Sequence, residues 1–334
     1  MWFNDLTGFQ EESPEQVRAN LQVSGNSLTS KVNGKTYVCG RLETPTLAEL
    51  REKVKSCSVP KGVLTLKEVV GNVQVLHIDS ANAGAMFQAA SQFNLLEMVS
   101  PSVSPEAGVG IYEYDRTQGP ACAIAAGAGT IYRNYFASVN GQIGQTTHNQ
   151  IDCLKDMGNA LGNDDNRLWT MQNGYALATK EGLIEISKHI QAMNSKELDE
   201  LRSTLRIGLQ WDTQVTIAGC QHFVSQAYCS ALPVAYSAHS SALWADFAQI
   251  VLEATYEATL AAAMLNCEKT GNNKVFLTLV GGGVFGNDSS WIFAAIERAL
   301  QLFADVPLEV AIVSYGQSEV RVRNFINNYS TNLK

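Results

Sequence analysis

Four carboxylates, Glu97, Glu106, Glu113 and Asp115, fall in one stretch of the chain and are the first residues whose types could do chemistry. Glu97 closes HIDSANAGAMFQAASQFNLLEM, whose later half is otherwise apolar or neutral. A carboxyl there would be partly desolvated, which raises its pKa and keeps a proton available near neutral pH. A solvated place on the outer face of a helix suits the same residue equally well. The other three lie in SPEAGVGIYEYDRTQGP, a loop rich in glycine and proline. Acids so placed can simply be solvated, or they can gather around one sugar. Glycosidic hydrolysis uses one acid to assist the leaving group and one carboxylate to activate water or stabilise an oxocarbenium ion. Several carboxylates would also hold a cationic leaving group such as a guanidinium. Glu97 and the three loop acids, Glu106, Glu113 and Asp115, are therefore the catalytic candidates.

The second candidate is KVFLTLVGGGVFG, Lys274 to Gly286, followed by Asn287, Asp288 and a helical pattern. A buried strand runs into Gly281, Gly282 and Gly283, then Val284, Phe285 and Gly286. Without side chains, successive amides can line a concave surface, and φ can take either sign. The following helix adds unpaired N–H groups and the positive end of its dipole. The combination suits a diphosphate, although a tight turn at a strand end would use the same glycines. Asp79 and Asn82 stand at the end of another strand-like run, NVQVLHIDSAN. The Asn82 amide suits a ribose hydroxyl, or an Asx turn capping the next helix.

Other chemistries lack support. No GxSxG accompanies a nucleophile, no Lys-Ser/Thr follows the glycines as in a Walker loop, and the glycine pattern is not GxGxxG. The five histidines show no HxxxH spacing and the seven cysteines no CxxC spacing, so no metal is expected. Scattered cysteines fit a reduced, cytoplasmic setting. A net charge of −8 with no Lys/Arg cluster argues against nucleic acid as a partner. No apolar run reaches membrane-spanning length, and the N-terminus does not read as a secretory signal.

The elements that must position these residues follow from pattern. Residues 1–60 read as a small α+β extension. It contains a helix opening at Pro14 with Ser13 as cap, an Asn33-Gly34 hairpin, and a helix capped by Thr46. From 61 to 334 strands alternate with helices, which predicts a mixed, largely parallel sheet covered on both faces. Strands are expected at 62–70, at 73–82, within 120–136, in LWTMQNGYALA and RIGLQWDTQVT, and at 274–280 and 308–313. Helices are expected at 83–99, within 149–162, over 183–205 with a capping box at Asn194 and Glu197, and at 245–266 and 289–304. Ligands of such sheets sit beyond the carboxyl ends of the strands, where the 281–286 loop falls.

LTLVGGGVFGND with its following helix and LEVAIVSYG is similar to the last third of a macrodomain, whose second glycine-rich loop grips the diphosphate and distal ribose of ADP-ribose. VQVLHIDSAN resembles the macrodomain strand that ends in an Asn near that ribose. Ala81 to Phe136 most resembles the poly(ADP-ribose) glycohydrolase branch, with Leu96-Glu97 where that branch has paired glutamates and GAGTIYRNYF where it has a later strand. AGAMFQAAS replaces the branch's triple glycine, and only one glutamate remains. The acidic loop, with Glu106 and Asp115, makes the pattern similar to arginine-directed ADP-ribosyl hydrolase macrodomains, which implies Glu97, Glu106 and Asp115 as the catalytic set. The resemblance covers roughly residues 62 to 320 and implies a macrodomain-like catalytic domain that removes ADP-ribose from mono-ADP-ribosylated protein at arginine. Gly281, Gly282, Gly283, Val284, Phe285, Gly286 and Asn287 would hold diphosphate and ribose, Asp79, Asn82 and Asn94 the ribose side, and Tyr315 the adenine. No cofactor is implied. The partners would be ADP-ribose and its protein conjugate, with no nucleic acid and no membrane. The rival reading is a module that binds ADP-ribose without cleaving it.

Overall fold

A computed structural model describes residues 1–332, so the last two residues of the 61–334 unit lie outside the described ones. Seven strands form the main sheet: β1 (Arg41–Glu43), β2 (Thr65–Val70), β3 (Met86–Ala90), β4 (Gly208–Gln214), β5 (Phe223–Cys229), β6 (Lys274–Leu277) and β7 (Glu309–Ser314). Their order across the sheet is β1-β4-β5-β3-β6-β7-β2. Pairs β5–β3, β3–β6, β6–β7 and β7–β2 are parallel, while β4 runs antiparallel to both β5 and β1. This is the mixed, largely parallel sheet that the alternating pattern predicts.

Helices cover both faces, and adjacent residues of the central strand β3 show how. The helices that matter for the site are α1 (Val73–Ile78), α2 (Gln118–Ala125), α3 (Gly127–Tyr135), α4 (Ser241–Thr270) and α5 (Ser289–Leu302). Phe87 faces α1, where the His77 ring stacks on it with centroids 3.8 Å apart. Gln88 faces the other way, and its Nε2 donates to Thr259 Oγ1 of α4 at 2.8 Å. Successive strand residues point to opposite faces, so one strand anchors both helix layers. The His77 imidazole is buried, which pulls its pKa down to about 4 and keeps it neutral in the core.

The N-terminal segment is hydrogen-bonded into this body. Ser13 caps Pro14–Asn20, its side chain accepting from Gln16 N. Leu21–Ser24, Ser27–Ser30 and Thr36–Val38 form a small antiparallel sheet. Thr46 and Glu49 make a capping box on Leu47–Lys55. Between these pieces, β1 pairs with β4 along the edge of the main sheet, Leu209 opposite Glu43.

Three expected elements differ, each for a physical reason. Residues 73–82 are not a strand: Asn72 accepts from Gln74 N and opens α1, and a 3₁₀ turn, Ser80–Asn82, follows. Val73 and His77 are its buried residues, a spacing of four that alternation in NVQVLHI disguises as a spacing of two. Residues 83–99 are not a helix, because Met86–Ala90 is β3 and is buried on both faces, which removes any periodicity. Residues 120–136 hold α2 and α3 rather than a strand; both are buried nearly all round, and their alanines favour helix. Strand β5 and the C-terminal helix Val320–Asn332 have no counterpart in the sequence reading. The Trp169–Gln172 and Tyr175–Ala178 hairpin, the Asn194–Glu197 capping box, α4 and α5 stand where the pattern puts them.

Candidate functional site

The parallel strands end at one edge, and the segments leaving β3, β5 and β6 enclose a cavity of about 230 Å³ there. Ala90 to Gln92 and Glu97 to Val99 form one wall, Thr278 to Gly281 and Gly283 to Phe285 another. Asp115, Tyr175 and Tyr236 complete it. This is the position that an open α/β sheet offers a ligand.

Glu97 sits on the loop leaving β3, and nearly every polar group of that loop is used. Leu95 N donates to Gln92 O, Gln92 N to Leu96 O, and Leu96 N to Asn94 Oδ1, at 2.9, 3.0 and 3.1 Å. Met98 N donates to Gln92 Oε1 at 2.8 Å, and the Tyr175 hydroxyl donates to Met98 O at 2.6 Å. Glu97 N donates to the Tyr112 hydroxyl oxygen at 2.9 Å. The turn requires a positive φ of 65° at Leu95, unusual for a residue with a Cβ. Gly208 makes room for that side chain, since a Cβ there would lie 2.4 Å from Leu95 Cδ1.

The Glu97 carboxyl is 4% exposed, and its Oε1 has no hydrogen-bond partner. Burial drives its pKa well above the ordinary carboxylate value; the Arg133 guanidinium opposes that rise and the Asp115 carboxylate adds to it. The balance favours the uncharged acid over the carboxylate. Arg133, on α3, is itself fully buried. Its Nε donates to Leu95 O at 3.3 Å, its Nη2 to Thr130 Oγ1 at 2.9 Å, and its guanidinium lies 3.6 Å over the Tyr228 ring.

Across the cavity, Gly281 and Gly286 take φ of 78° and 69°. A Cβ at Gly281 would lie 2.5 Å from the Ala231 Cβ, so only glycine fits. Asn287 ties the loop shut: its N donates to Gly281 O at 3.0 Å and its Nδ2 to Leu232 O at 2.8 Å. The amides of Gly283, Val284 and Phe285 have no partner among the described residues, and these three residues line the cavity, an arrangement fit for an anion. The start of α5 is not free for one: Asp288 caps it, accepting from Ser290 N at 2.7 Å. The Phe285 ring packs on Tyr175 and Tyr236, with centroids 5.3 and 5.5 Å away.

The structure thus brings Glu97, Asp115, Gly281, Gly283, Val284 and Phe285 together around one cavity. Gly282, Gly286 and Asn287 shape the loop behind it. Asn94 is fully buried beneath Glu97, its Nδ2 donating to Gln150 Oε1 at 2.8 Å, and it acts as a brace. Asp79 and Asn82 lie at the opposite end of the sheet, because the run that carries them is a helix leading into β3. There Asp79 accepts from Ala81 N, and Asn82 accepts from Lys274 Nζ at the start of β6. Glu106 is drawn away to Thr147, accepting from its N at 2.7 Å and its Oγ1 at 2.9 Å. Tyr315, 57% exposed, follows β7 and does not line the cavity. Arg133, Tyr112, Gln92, Tyr175 and Tyr236 were missed in sequence. Only Arg133 carried a signal: a lone cation in the small, apolar stretch PACAIAAGAGTIYRNYF. Among the described residues no group of His, Cys, Asp or Glu could hold a metal ion.

The protonation of Glu97 has a measurable consequence. The folded chain holds that proton more tightly than the unfolded chain does, so the group adds stability below the unfolded carboxyl range. That stability is lost as pH rises through the folded pKa. Glu97→Gln is neutral throughout and escapes the loss. Thermal unfolding should show the variant matching the parent near about pH 4 and exceeding it by a margin that widens toward about pH 9. A margin that does not change with pH would contradict a protonated Glu97.

No protein-family model matches the chain, and no curated protein does. Solved structures similar to it are poly(ADP-ribose) glycohydrolases. That of Deinococcus radiodurans in complex with ADP-ribose is 11% identical, with 88% of this chain and 95% of that one covered and a TM-score of 0.47. That of Thermomonospora curvata is 12% identical, with 94% and 95% covered and a TM-score of 0.44. Scores and identities this low leave the functional reading to the residues of the chain itself.

Proposed function

We propose that the protein hydrolyses the glycosidic bond that joins ADP-ribose to a protein side chain, with arginine as the acceptor. The observation that carries the reading is the cavity's division of labour. Glu97, whose Oε1 has no partner and whose pKa burial raises, shares the cavity with Gly283, Val284 and Phe285, whose loop amides are free, and Asp115 lines the same cavity. The amides would take the diphosphate and the cavity the distal ribose. As the bond between the anomeric carbon and the leaving nitrogen breaks, Glu97 would give its proton to the departing guanidine. Asp115 would stabilise the oxocarbenium ion and take a proton from the attacking water. Tyr175, Tyr236 and Phe285 would keep other water out. The arginine linkage rests on Asp115 alone among the loop acids, because Glu106 and Glu113 do not line the cavity, while Asp115 lines it with one oxygen bonded to Thr117 N at 2.8 Å. A carboxylate at the rim suits a cationic leaving group.

One observation favours the second reading, an ADP-ribose-binding module without turnover: Glu97 is the only fully buried carboxylate in the cavity. A panel of arginine-, serine- and carboxylate-linked ADP-ribosyl peptides, with poly(ADP-ribose) and NAD, separates the two when release is followed by mass spectrometry. Release from the arginine peptide supports the proposal, and binding of ADP-ribose without any release supports the binder. Asp115→Ala should keep ADP-ribose affinity in calorimetry while losing about 10²-fold in turnover; unchanged turnover removes Asp115 from the site. Gly283 has open space around it, so Gly283→Ala should leave stability within about 0.5 kcal/mol. The same change should weaken ADP-ribose on the order of tenfold by crowding the amide cradle.

A further inference from the structure

The acidic loop that brings Asp115 to the cavity is held from below by the N-terminal segment, and one residue does most of the holding. Glu11, half-buried, accepts from Val109 N at 3.0 Å, from Gly110 N at 2.6 Å and from the Tyr135 hydroxyl at 2.7 Å. Two glycines exist around it: a Cβ at Gly108 would lie 2.4 Å from Glu11 Oε2, and one at Gly110 2.7 Å from the same atom. Gly108 also needs its φ of 86°. Nearby, Trp2 N donates to Glu113 Oε2 at 3.3 Å, so a second N-terminal residue grips the same loop.

The bonded groups lead directly to both carboxylates. Tyr112 N donates at 3.1 Å to the carbonyl of Val109, whose own N is bonded to Glu11. The Tyr112 hydroxyl receives Glu97 N at 2.9 Å, and the Tyr112 carbonyl receives Asp115 N at 3.2 Å. A single 3₁₀ turn, Gly110–Tyr114, thus meets Glu11 at its start and carries the supports of both acids. Charge-assisted bonds from two consecutive amides and a phenol are among the stronger neutral-to-ion contacts a loop can make.

We propose that Glu11 is a positioning residue for the active site, so that residues 1–12 are part of the catalytic apparatus rather than a preamble to it. The kinetic half of this inference rests on the hydrolase reading; the structural half does not. Burial raises the Glu11 pKa, while the Tyr135 hydroxyl and the Val109 and Gly110 amides favour its ionised form.

The test uses the full chain with Glu11→Ala, Glu11→Gln and, as a control, Glu12→Gln. Hydrogen exchange is followed by mass spectrometry on the free protein. Glu11→Ala should speed exchange of 105–117 by about tenfold or more while β6 and α4 stay unchanged. Glu11→Gln should fall between, because its one carbonyl oxygen still accepts from an amide, and Glu12→Gln should match the parent. With substrate, Glu11→Ala should lower kcat by about tenfold and leave the Kd for ADP-ribose, set by the 281–286 loop, within about twofold. Unchanged exchange at 105–117, or equal opening of β6 and α4, overturns the inference, as does an unchanged kcat in an enzyme that turns over. If the parent binds ADP-ribose but releases none from any substrate, the hydrolase reading fails and the exchange result alone decides the role of Glu11.

Discussion

A carboxyl taken out of water is the constraint on which the site depends. Burial disfavours ionising Glu97 where it lies, and the Arg133 guanidinium offsets only part of that. The cheaper state is the protonated one, and it stays useful only while the carboxyl is kept dry and fixed. The loop around it meets both demands. Its polar groups are matched within the loop or by Tyr112, Arg133, Gln145, Gln150 and Tyr175. The strained turn at Leu95 is held by the Arg133 bond to its carbonyl and by the space Gly208 leaves. Arg133 also limits how far the carboxyl pKa can rise, so one side chain sets both geometry and proton affinity.

The sheet supplies the second requirement, a meeting place. Strands β3, β5 and β6 run parallel and release their loops on one edge, so the Glu97 loop after β3 and the glycine loop after β6 line one cavity without any long insertion. The two walls differ in kind. The Glu97 wall is built from side chains that satisfy one another, and the glycine wall from backbone left unsatisfied. Phe285 joins them through Tyr175, whose hydroxyl holds Met98 beside Glu97. The third contributor, the Asp115 loop, comes from the connection between β3 and α2 and is gripped by the chain's first dozen residues.

Sequence made the late part of this site plain and the early part obscure. Gly281 to Gly286 between an apolar run and an amphipathic helix names its own strand, loop and helix, because glycine and period-3.6 signals are local. Glu97 and Asp115 could be picked out as chemistry, but their scaffold could not. Met86–Ala90 and α2 with α3 are buried on every side, and a fully buried segment has no periodicity to read. The error at 73–82 had a cost, since it carried Asp79 and Asn82 to the wrong end of the sheet. Glu106 was equally invisible: its bond to Thr147 joins segments that only tertiary structure brings together. Arg133 shows the converse, a residue whose meaning lies entirely in what surrounds it.

The most direct test of the account is a crystal structure of the Glu97→Gln protein with ADP-ribose. The account predicts the diphosphate on the amides of Gly283, Val284 and Phe285, with the distal ribose against residue 97 and Asp115 on its open side. Ligand bound elsewhere, or bound with the ribose turned away from residue 97, would contradict it.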